Sequence, residues 1–170
     1  MDEKLILDKE ENKSSVVIIP ESYNDFDNII EKVRELNNVN YYFALKGNSP
    51  DNTIKAINAF NKKIILITGG NDENMSYDSL GDTLVTKVKH LILIGQTSGL
   101  IEMSLMRKLV GKNQGIDIRI THCNTLRQAV DCACLSAKHD DTVLLSLASS
   151  CISEQYSELK EVYAKFVGAL

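Results

Sequence analysis

Short, continuously apolar runs alternate along the chain with longer segments in which apolar residues recur every three to four positions. A continuous apolar run is typical of a buried strand, and the three-to-four spacing is typical of a helix that packs one face against a core. The strands predicted in this way are SSVVIIP at 14–20, VNYYFA at 39–44, KIILIT at 63–68, HLILIG at 90–95, IDIRITHC at 116–123 and DTVLLSL at 141–147.

The segments between the apolar runs predict helices. Their ranges are 22–36, 49–60, 76–88, 97–110, 124–138 and 153–170. Ser22 and Asn124 stand where an N-cap side chain accepts from the N–H groups of the first turn, and Pro50 fits a first helical position, where the N–H that it lacks has no helical partner. The last helix is expected to bury one stripe, made of Tyr156, Leu159, Val162, Tyr163 and Phe166.

Buried strands that alternate with helices predict an α/β fold, namely a three-layer, mostly parallel six-stranded Rossmann-like sheet with helices on both faces. Residues 1–14 lack a sustained apolar period and are predicted to form a flexible N-terminal arm, whereas residues 15–170 are predicted to form a single domain. Ligands of such sheets bind beyond the carboxyl ends of the strands. The loops of interest are therefore 44–49, 68–76, 95–97, 121–124 and 146–153.

Composition narrows the function classes. The chain has 170 residues, 44% of them hydrophobic, and a formal net charge of -4, which suits one globular domain. Because Lys and Arg are not clustered among aromatic residues, we expect no nucleic-acid partner. No apolar run approaches the ~20 residues that span a bilayer, and the charged start MDEKLILDKEENKSS is no signal peptide, so we expect no membrane association and a cytoplasmic location. The four cysteines form no CxxC pair and are expected to be buried free thiols.

The loop after the third predicted strand, ITGGND, contains Gly69 and Gly70. It matches neither GxGxxG nor the P-loop pattern, which disfavours autonomous nucleotide binding and a dinucleotide-binding dehydrogenase. A double glycine serves either as a plain turn or as a point where the backbone approaches a ligand. Lys46 lies just before a predicted helix start, where its ammonium and backbone N–H groups can hold a carboxylate or phosphate, although a solvated lysine is the simpler interpretation.

Other reactive side chains give little signal for catalysis. His90, His122 and His139 each lack a partner acid or nucleophile at a recognisable spacing, so no catalytic residue and no metal ligand is assigned. Ser146 and Cys151 belong to the run SLASSCIS after the last strand, where no GxSxG elbow occurs. Hydroxyl groups in that position more often cap the following helix than attack a substrate.

Several stretches recur, in order and with similar spacing, in one known family. They are YYFALKGNSPDNTIKAINAF, KKIILITGGNDENMSYDSLG, KVKHLILIGQTS and DDTVLLSLASSCISEQYSELKEVYAKF, within about residues 38–168. Together they resemble the C-terminal domain of the Mur ligases, nearest to the D-glutamate-adding type. The resemblance implies a part of a bacterial ATP-dependent amide ligase of cell-wall precursor synthesis. It also implies that ATP and magnesium belong to the full-length enzyme and that this chain alone binds no cofactor.

The resemblance assigns substrate-binding residues by position. They are Lys46, Asn48, Gly69, Gly70, Ser146 and Cys151. Several positions differ from the family pattern: Ala44 replaces an aspartate, Glu73 replaces a lysine that helps to hold the amino-acid carboxylate, and Val162 replaces an arginine. A carboxylate at position 73 would repel an anionic substrate.

Two functions are therefore open. In the first, the chain is the amino-acid-binding part of a D-glutamate-adding ligase, inactive alone and partnered by the N-terminal and central ligase domains or by a partner chain. In the second, it is a stand-alone, catalytically degenerate domain that acts as a binding or regulatory module. The changes at Ala44, Glu73 and Val162 favour the second.

Overall fold

The computed structural model describes residues 3–6, 17–20, 30–71, 74–110, 117–149 and 156–170. The elements in chain order are strands β1 (Glu3–Ile6), β2 (Val17–Pro20), β3 (Ile30–Leu36) and β4 (Val39–Asn48), helix α1 (Pro50–Asn58), strand β5 (Ile64–Gly69), helix α2 (Leu80–Lys87), strand β6 (Val88–Ile94), helix α3 (Ser98–Leu109), strand β7 (Arg119–Cys123), helix α4 (Leu126–Ser136), strand β8 (Thr142–Leu147) and helix α5 (Tyr156–Gly168). Within these ranges every helix is too short or too polar to cross a bilayer.

The main sheet contains six strands in the order β3-β4-β8-β5-β6-β7. Its pairings are parallel except that β3 runs antiparallel to β4. Helices α1, α2 and α3 pack on one face of the sheet, and α4 and α5 pack on the other. The predicted three-layer, mostly parallel six-stranded Rossmann-like fold is therefore confirmed.

Strand β8 shows how the sequence builds this core. Leu144 faces the α1–α3 side, whereas Val143 and Leu145 face the α4–α5 side, and all three are fully buried. Successive side chains of a strand point to opposite faces, so a strand covered by helices on both faces must be apolar throughout. The continuous apolar runs of the sequence reflect this double coverage.

The helix predicted at 22–36 is wrong for its described part, because residues 30–36 form the edge strand β3. Asn37 and Asn38 both have positive φ, 52° and 61°, and form a two-residue turn that pairs Leu36 with Val39 in a hairpin. The register shifts between Lys32 and Arg34, so that Ile30 packs on one face of the sheet and Leu36 on the other. This bulge removes the alternation that would have marked a strand. Ser22, the predicted cap, lies outside the described residues.

The N-terminal segment also differs from the prediction. Strand β2 forms within the predicted range 14–20, but it pairs antiparallel with β1 in a two-stranded sheet, and β3 takes the sixth place in the main sheet. Strand β1 lies within residues 1–14, for which a flexible N-terminal arm is predicted, and that flexibility stays a prediction.

The helix starts and faces match the sequence in part. Ser49 caps α1 by accepting from the Asn52 N–H at 3.2 Å, and Pro50 is the first helical residue, as predicted. Helix α4 is capped by Thr125, which accepts from the Gln128 N–H at 3.1 Å, so the prediction of Asn124 as the cap is wrong by one residue.

In α5 the buried residues are Leu159, Tyr163 and Val167, whereas Val162 is 40% exposed and Phe166 is half-buried. The side chain of Tyr156 lies outside the described residues.

Candidate functional site

The carboxyl ends of the parallel strands β4, β5, β6, β7 and β8 lie at one edge of the sheet, which we call the carboxyl edge. In open α/β sheets this edge is where ligands bind. The described residues there include the predicted site residues Lys46, Asn48, Gly69, Gly70 and Ser146. Cys151 and Glu73 lie outside the described residues.

The double glycine lies where the ends of β5 and β6 approach each other closely. Gly69 and Gly70 have φ of 137° and 115°, and Gly95 at the end of β6 has φ of 82°, values that side-chain-bearing residues rarely adopt. A β-carbon on Gly69 would lie 1.7 Å from the Ile94 carbonyl oxygen, and one on Gly95 would lie 2.6 Å from the Gly70 carbonyl oxygen. The close approach of two backbones therefore requires glycine here, whether or not a ligand binds.

Hydrogen bonds within the protein occupy the polar groups of this turn. The Gly70 N–H donates to the Ile94 carbonyl oxygen at 3.0 Å. The Gly70 carbonyl oxygen accepts from the Thr97 N–H at 3.2 Å and from the Thr97 hydroxyl at 3.3 Å. The Gly69 carbonyl oxygen accepts from the Ser149 hydroxyl at 3.0 Å. These bonds support a structural role, and substrate binding by Gly69 and Gly70 stays a prediction.

The end of β4 presents two exposed polar side chains at this edge. Lys46 is exposed, and so is Asn48, whose Oδ1 accepts from Asn52 Nδ2 at 3.1 Å. Both side chains precede the N-terminus of α1, which carries a partial positive charge. Lys46 and this helix end together form a setting that suits an anionic group.

Ser146 lies inside the protein instead of facing the edge. It is 1% exposed, and its Oγ is 2.9 Å from Thr53 Oγ1 of α1. Thr53 Oγ1 donates to the Leu147 carbonyl oxygen at 3.0 Å, so the Ser146 hydroxyl donates to Thr53. A β-carbon on Gly47 would lie 2.4 Å from Ser146 Oγ, which shows how tightly β4 covers this hydroxyl. In the described arrangement Ser146 joins β8 to α1.

The three histidines have different surroundings, none of which the sequence indicated. His122 Nε2 at the end of β7 lies 2.5 Å from Glu102 Oε2 of α3, and both side chains are partly exposed at the carboxyl edge. His90 is buried, with Nδ1 2.8 Å from Ser136 Oγ and Nε2 2.9 Å from Thr121 Oγ1. His139 is exposed beside Asp140.

Burial and neighbouring groups shift the pKa values of His90 and Cys123. Burial first, and then the positive charges of Arg119 and Lys89, lower the pKa of His90 to about 4. Burial, followed by the neighbouring Cys132 thiol, raises the pKa of Cys123 above its usual value. Cys123, Cys132 and Cys134 are free thiols, as predicted, but they are half-buried instead of buried, and Cys151 lies outside the described residues. Among the described residues, no three His, Cys, Asp or Glu side chains gather closely enough to hold a metal ion.

A family model and individual relatives both indicate the same family. A family model described as "Mur ligase, glutamate ligase domain" matches residues 30–148. A protein of Ruminiclostridium cellulolyticum named UDP-N-acetylmuramoylalanine--D-glutamate ligase is 40% identical over 136 residues, which cover 80% of this chain and 29% of that protein. The protein of the same name from Acetivibrio thermocellus is 44% identical over 121 residues, covering 71% of this chain and 26% of that protein.

Solved structures support the fold alone. The crystal structure of a murein peptide ligase from Psychrobacter arcticus superposes with a TM-score of 0.52 at 12% identity, covering 82% of this chain and 30% of that one. The chain thus spans less than a third of the length of these relatives, and the match includes β3 and the carboxyl edge from β4 to β8.

Proposed function

Since the chain belongs to the Mur ligase, glutamate ligase domain family, we propose that it acts as the amino-acid-binding C-terminal domain of an ATP-dependent amide ligase of the D-glutamate-adding type. The relatives at 40% and 44% identity carry the D-glutamate ligase name, which supports that choice of amino acid. The proposed setting is peptidoglycan precursor synthesis in the cytoplasm. The domain is not catalytic alone under this proposal.

One observation carries the proposal: the match to this family covers residues 30–148, which include Lys46 and the double glycine of the carboxyl edge. The exposed Lys46 ammonium beside the α1 N-terminus suits the carboxylate of an incoming amino acid. In the proposed reaction, the carboxylate of a nucleotide-sugar substrate takes the terminal phosphoryl group of ATP, with release of ADP. The D-glutamate amine then attacks the acyl carbon and releases phosphate.

The proposal assigns ATP and magnesium to domains beyond this chain. The described residues include no cluster of three possible metal-ligating side chains. The stabilisation of charge on a transferred phosphoryl group requires cations and a phosphate-binding loop, and the sequence has no P-loop pattern. The partners under this proposal are the N-terminal and central ligase domains, in one chain or supplied separately.

A chimera tests this function. Residues 30–170 replace the corresponding domain of the Ruminiclostridium cellulolyticum ligase, and ADP release is measured with UDP-N-acetylmuramoyl-L-alanine in the presence and absence of D-glutamate. We expect ADP release that requires both the grafted domain and D-glutamate, and none from the chain alone. A folded, ATP-binding chimera without D-glutamate-dependent ADP release would count against the proposal.

A second candidate is a stand-alone binding module that has lost catalysis. Ala44, which replaces a family aspartate, is 3% exposed and part of the core, and Val162, which replaces a family arginine, offers no charge. Titration calorimetry of the chain alone with D-glutamate separates the two candidates. Binding by the chain alone would favour the module, whereas binding only in the chimera would favour the ligase part.

The variant Glu73→Lys extends that titration. If D-glutamate is the ligand, the restored ammonium should tighten its binding because the amino acid carries carboxylates. Weaker binding by Glu73→Lys than by the native chain would show that Glu73 does not repel the ligand.

A further inference from the structure

The amino ends of the strands, opposite the carboxyl edge, contain a hollow that the proposed ligase function does not use. Its volume is about 200 Å³. It opens between the starts of β6 and β7 and the end of α4, and we call it the basal hollow. Its polar lining consists of Lys89, His90, Asp117, Arg119, Ser136 and Lys138.

The charge of the basal hollow is unbalanced towards positive. Lys89 Nζ is bound to the buried Asp141 carboxylate, whose second oxygen accepts from the Lys138 N–H at 2.7 Å. Within the described part of the chain, the Arg119 guanidinium and the Lys138 ammonium form no ion pair. Asp117 is the one carboxylate in the lining. Two cations without a paired acid therefore face this hollow against one carboxylate.

His90 forms a fixed, uncharged wall of the same hollow. Hydrogen bonds to Ser136 and Thr121 hold both of its ring nitrogens, and the ring is 4% exposed. Burial first, and then the positive charges of Arg119 and Lys89, lower the pKa of this ring. The imidazole is neutral at pH 7, so the ring itself adds no charge to the hollow.

A second hollow of about 400 Å³ adjoins the first and shares His90, Arg119 and Ser136 with it. It continues along α4 past Cys132 to Leu135, and its lining also includes Thr121, Gln128 and the Asp131 carboxylate, which pairs with Arg127 Nε at 3.7 Å. Leu135 is 88% exposed, whereas the side chains of Leu126, Val130 and Ala133 on the same helix are buried. The two hollows thus place a cationic cavity next to an apolar wall made of Cys132 and Leu135, and the nearby Asp131 carboxylate is already paired with Arg127.

We propose that the two adjoining hollows bind a small amphiphilic anion, with its carboxylate against Arg119 and Lys138 and its apolar chain along Cys132 and Leu135. A guanidinium binds a carboxylate through two parallel N–H donors. Arg119 and Lys138 are both exposed, so an entering anion can reach them. The apolar wall adds affinity in proportion to the chain length that it covers. The site is separate from the carboxyl edge, so it does not depend on the ligase function.

The experiment is a titration of the ¹⁵N-labelled chain with hexanoate, acetate and hexan-1-ol, followed by amide chemical shifts. We expect saturable shifts at His90, Arg119 and Ser136 with hexanoate, and at least about tenfold weaker binding of acetate and hexan-1-ol, since each lacks one half of the recognition. Equal binding of hexan-1-ol and hexanoate would overturn the assignment of an anion. Shifts scattered over the surface, or none, would overturn the site.

Variants assign the two halves of the recognition. Arg119→Gln should weaken hexanoate binding about tenfold or more, and Leu135→Ser should weaken hexanoate but leave acetate unchanged. Arg107→Gln is the matched control, because Arg107 is an exposed arginine of α3 paired with Asp78. Unaltered hexanoate binding by Arg119→Gln, or an equal loss in Arg107→Gln, would contradict the proposal.

Discussion

Gly69 and the Ile94 carbonyl oxygen lie so close together that a β-carbon at position 69 would be 1.7 Å from that oxygen. This contact joins the carboxyl ends of β5 and β6, and a hydrogen bond from the Gly70 N–H to the same oxygen closes it. The shape of the carboxyl edge therefore depends on glycine at position 69 before any ligand is considered.

We predict that Gly69→Ala lowers the free energy of unfolding by about 3 kcal/mol or more, because the backbone contact and the φ of 137° both exclude a side chain. Urea unfolding followed by circular dichroism measures the change. Gly99→Ala is the control: its β-carbon meets nothing within 4 Å, so the free energy of unfolding should stay the same or rise by up to about 1 kcal/mol. Equal effects of the two substitutions would refute this account of the turn.

The pKa of His90 predicts a loss of stability in mild acid. As the pH falls below about 6.5, the unfolded chain takes up a proton that the native imidazole resists until about pH 4. The stability that neutral His90 contributes is therefore fully present above pH 6.5 and is progressively lost as the pH falls towards 4. His90 should contribute about 2 kcal/mol to the difference between the free energies of unfolding at pH 7 and pH 4.5.

Urea unfolding of the native chain and of His90→Gln at both pH values isolates this contribution, because other groups titrate alike in the two proteins. His90→Gln should show the smaller pH dependence. His139→Gln, which changes an exposed histidine, should keep the native pH dependence. An unchanged pH dependence in His90→Gln would show that His90 is not held neutral by its surroundings.

The two hydrogen bonds of the Thr53 hydroxyl join α1 to β8, and their loss should lower the free energy of unfolding. Thr53→Val keeps the shape but removes the donor to Leu147 and the acceptor for Ser146, both of which are buried. We expect the free energy of unfolding to fall by about 1–3 kcal/mol. In Thr86→Val, an exposed threonine of α2 changes, and the loss should be below about 1 kcal/mol. Thermal unfolding of both variants decides the matter, and similar losses would contradict the role assigned to Thr53.

Replacement of Tyr163 by phenylalanine should stabilise the protein. Its ring is fully buried against Phe43, and within the described residues its hydroxyl has no hydrogen-bond partner. Tyr163→Phe should raise the free energy of unfolding by about 1 kcal/mol, since it removes a buried polar group without a partner. Tyr41→Phe should give no such gain, because the Tyr41 hydroxyl contacts Cys134. Urea unfolding measures the change. If Tyr163→Phe lowers the free energy of unfolding, the Tyr163 hydroxyl has a hydrogen-bond partner in the native protein.

Much of the fold was predictable from the sequence because the central strands are apolar throughout. β5, β6 and β8 were placed within a residue or two, since only a strand covered on both faces has this pattern. The edge strand β3 was not found, because it is half-exposed and its bulge at Lys32 and Arg34 breaks the alternation. The Asn37–Asn38 pair was the available signal for the hairpin.

The candidate site was less predictable because its contacts join distant residues. The double glycine was visible in the sequence, but its contact with Ile94 depends on the pairing of β5 with β6. Substrate binding by Ser146 is implied by the resemblance and stays a prediction, and its contact with Thr53 on another element was not visible in the sequence. Glu102 was missed because only the packing of α3 beside β7 places it next to His122.

The most direct test of the proposed function is the KM for D-glutamate in the chimera that carries Lys46→Gln. Lys165→Gln, an exposed lysine of α5, is the control with the same change in charge. If the end of β4 binds the amino-acid carboxylate, Lys46→Gln should raise the KM about tenfold or more, with a smaller change in kcat, while Lys165→Gln leaves both constants unchanged. An unaltered KM in Lys46→Gln would contradict the account.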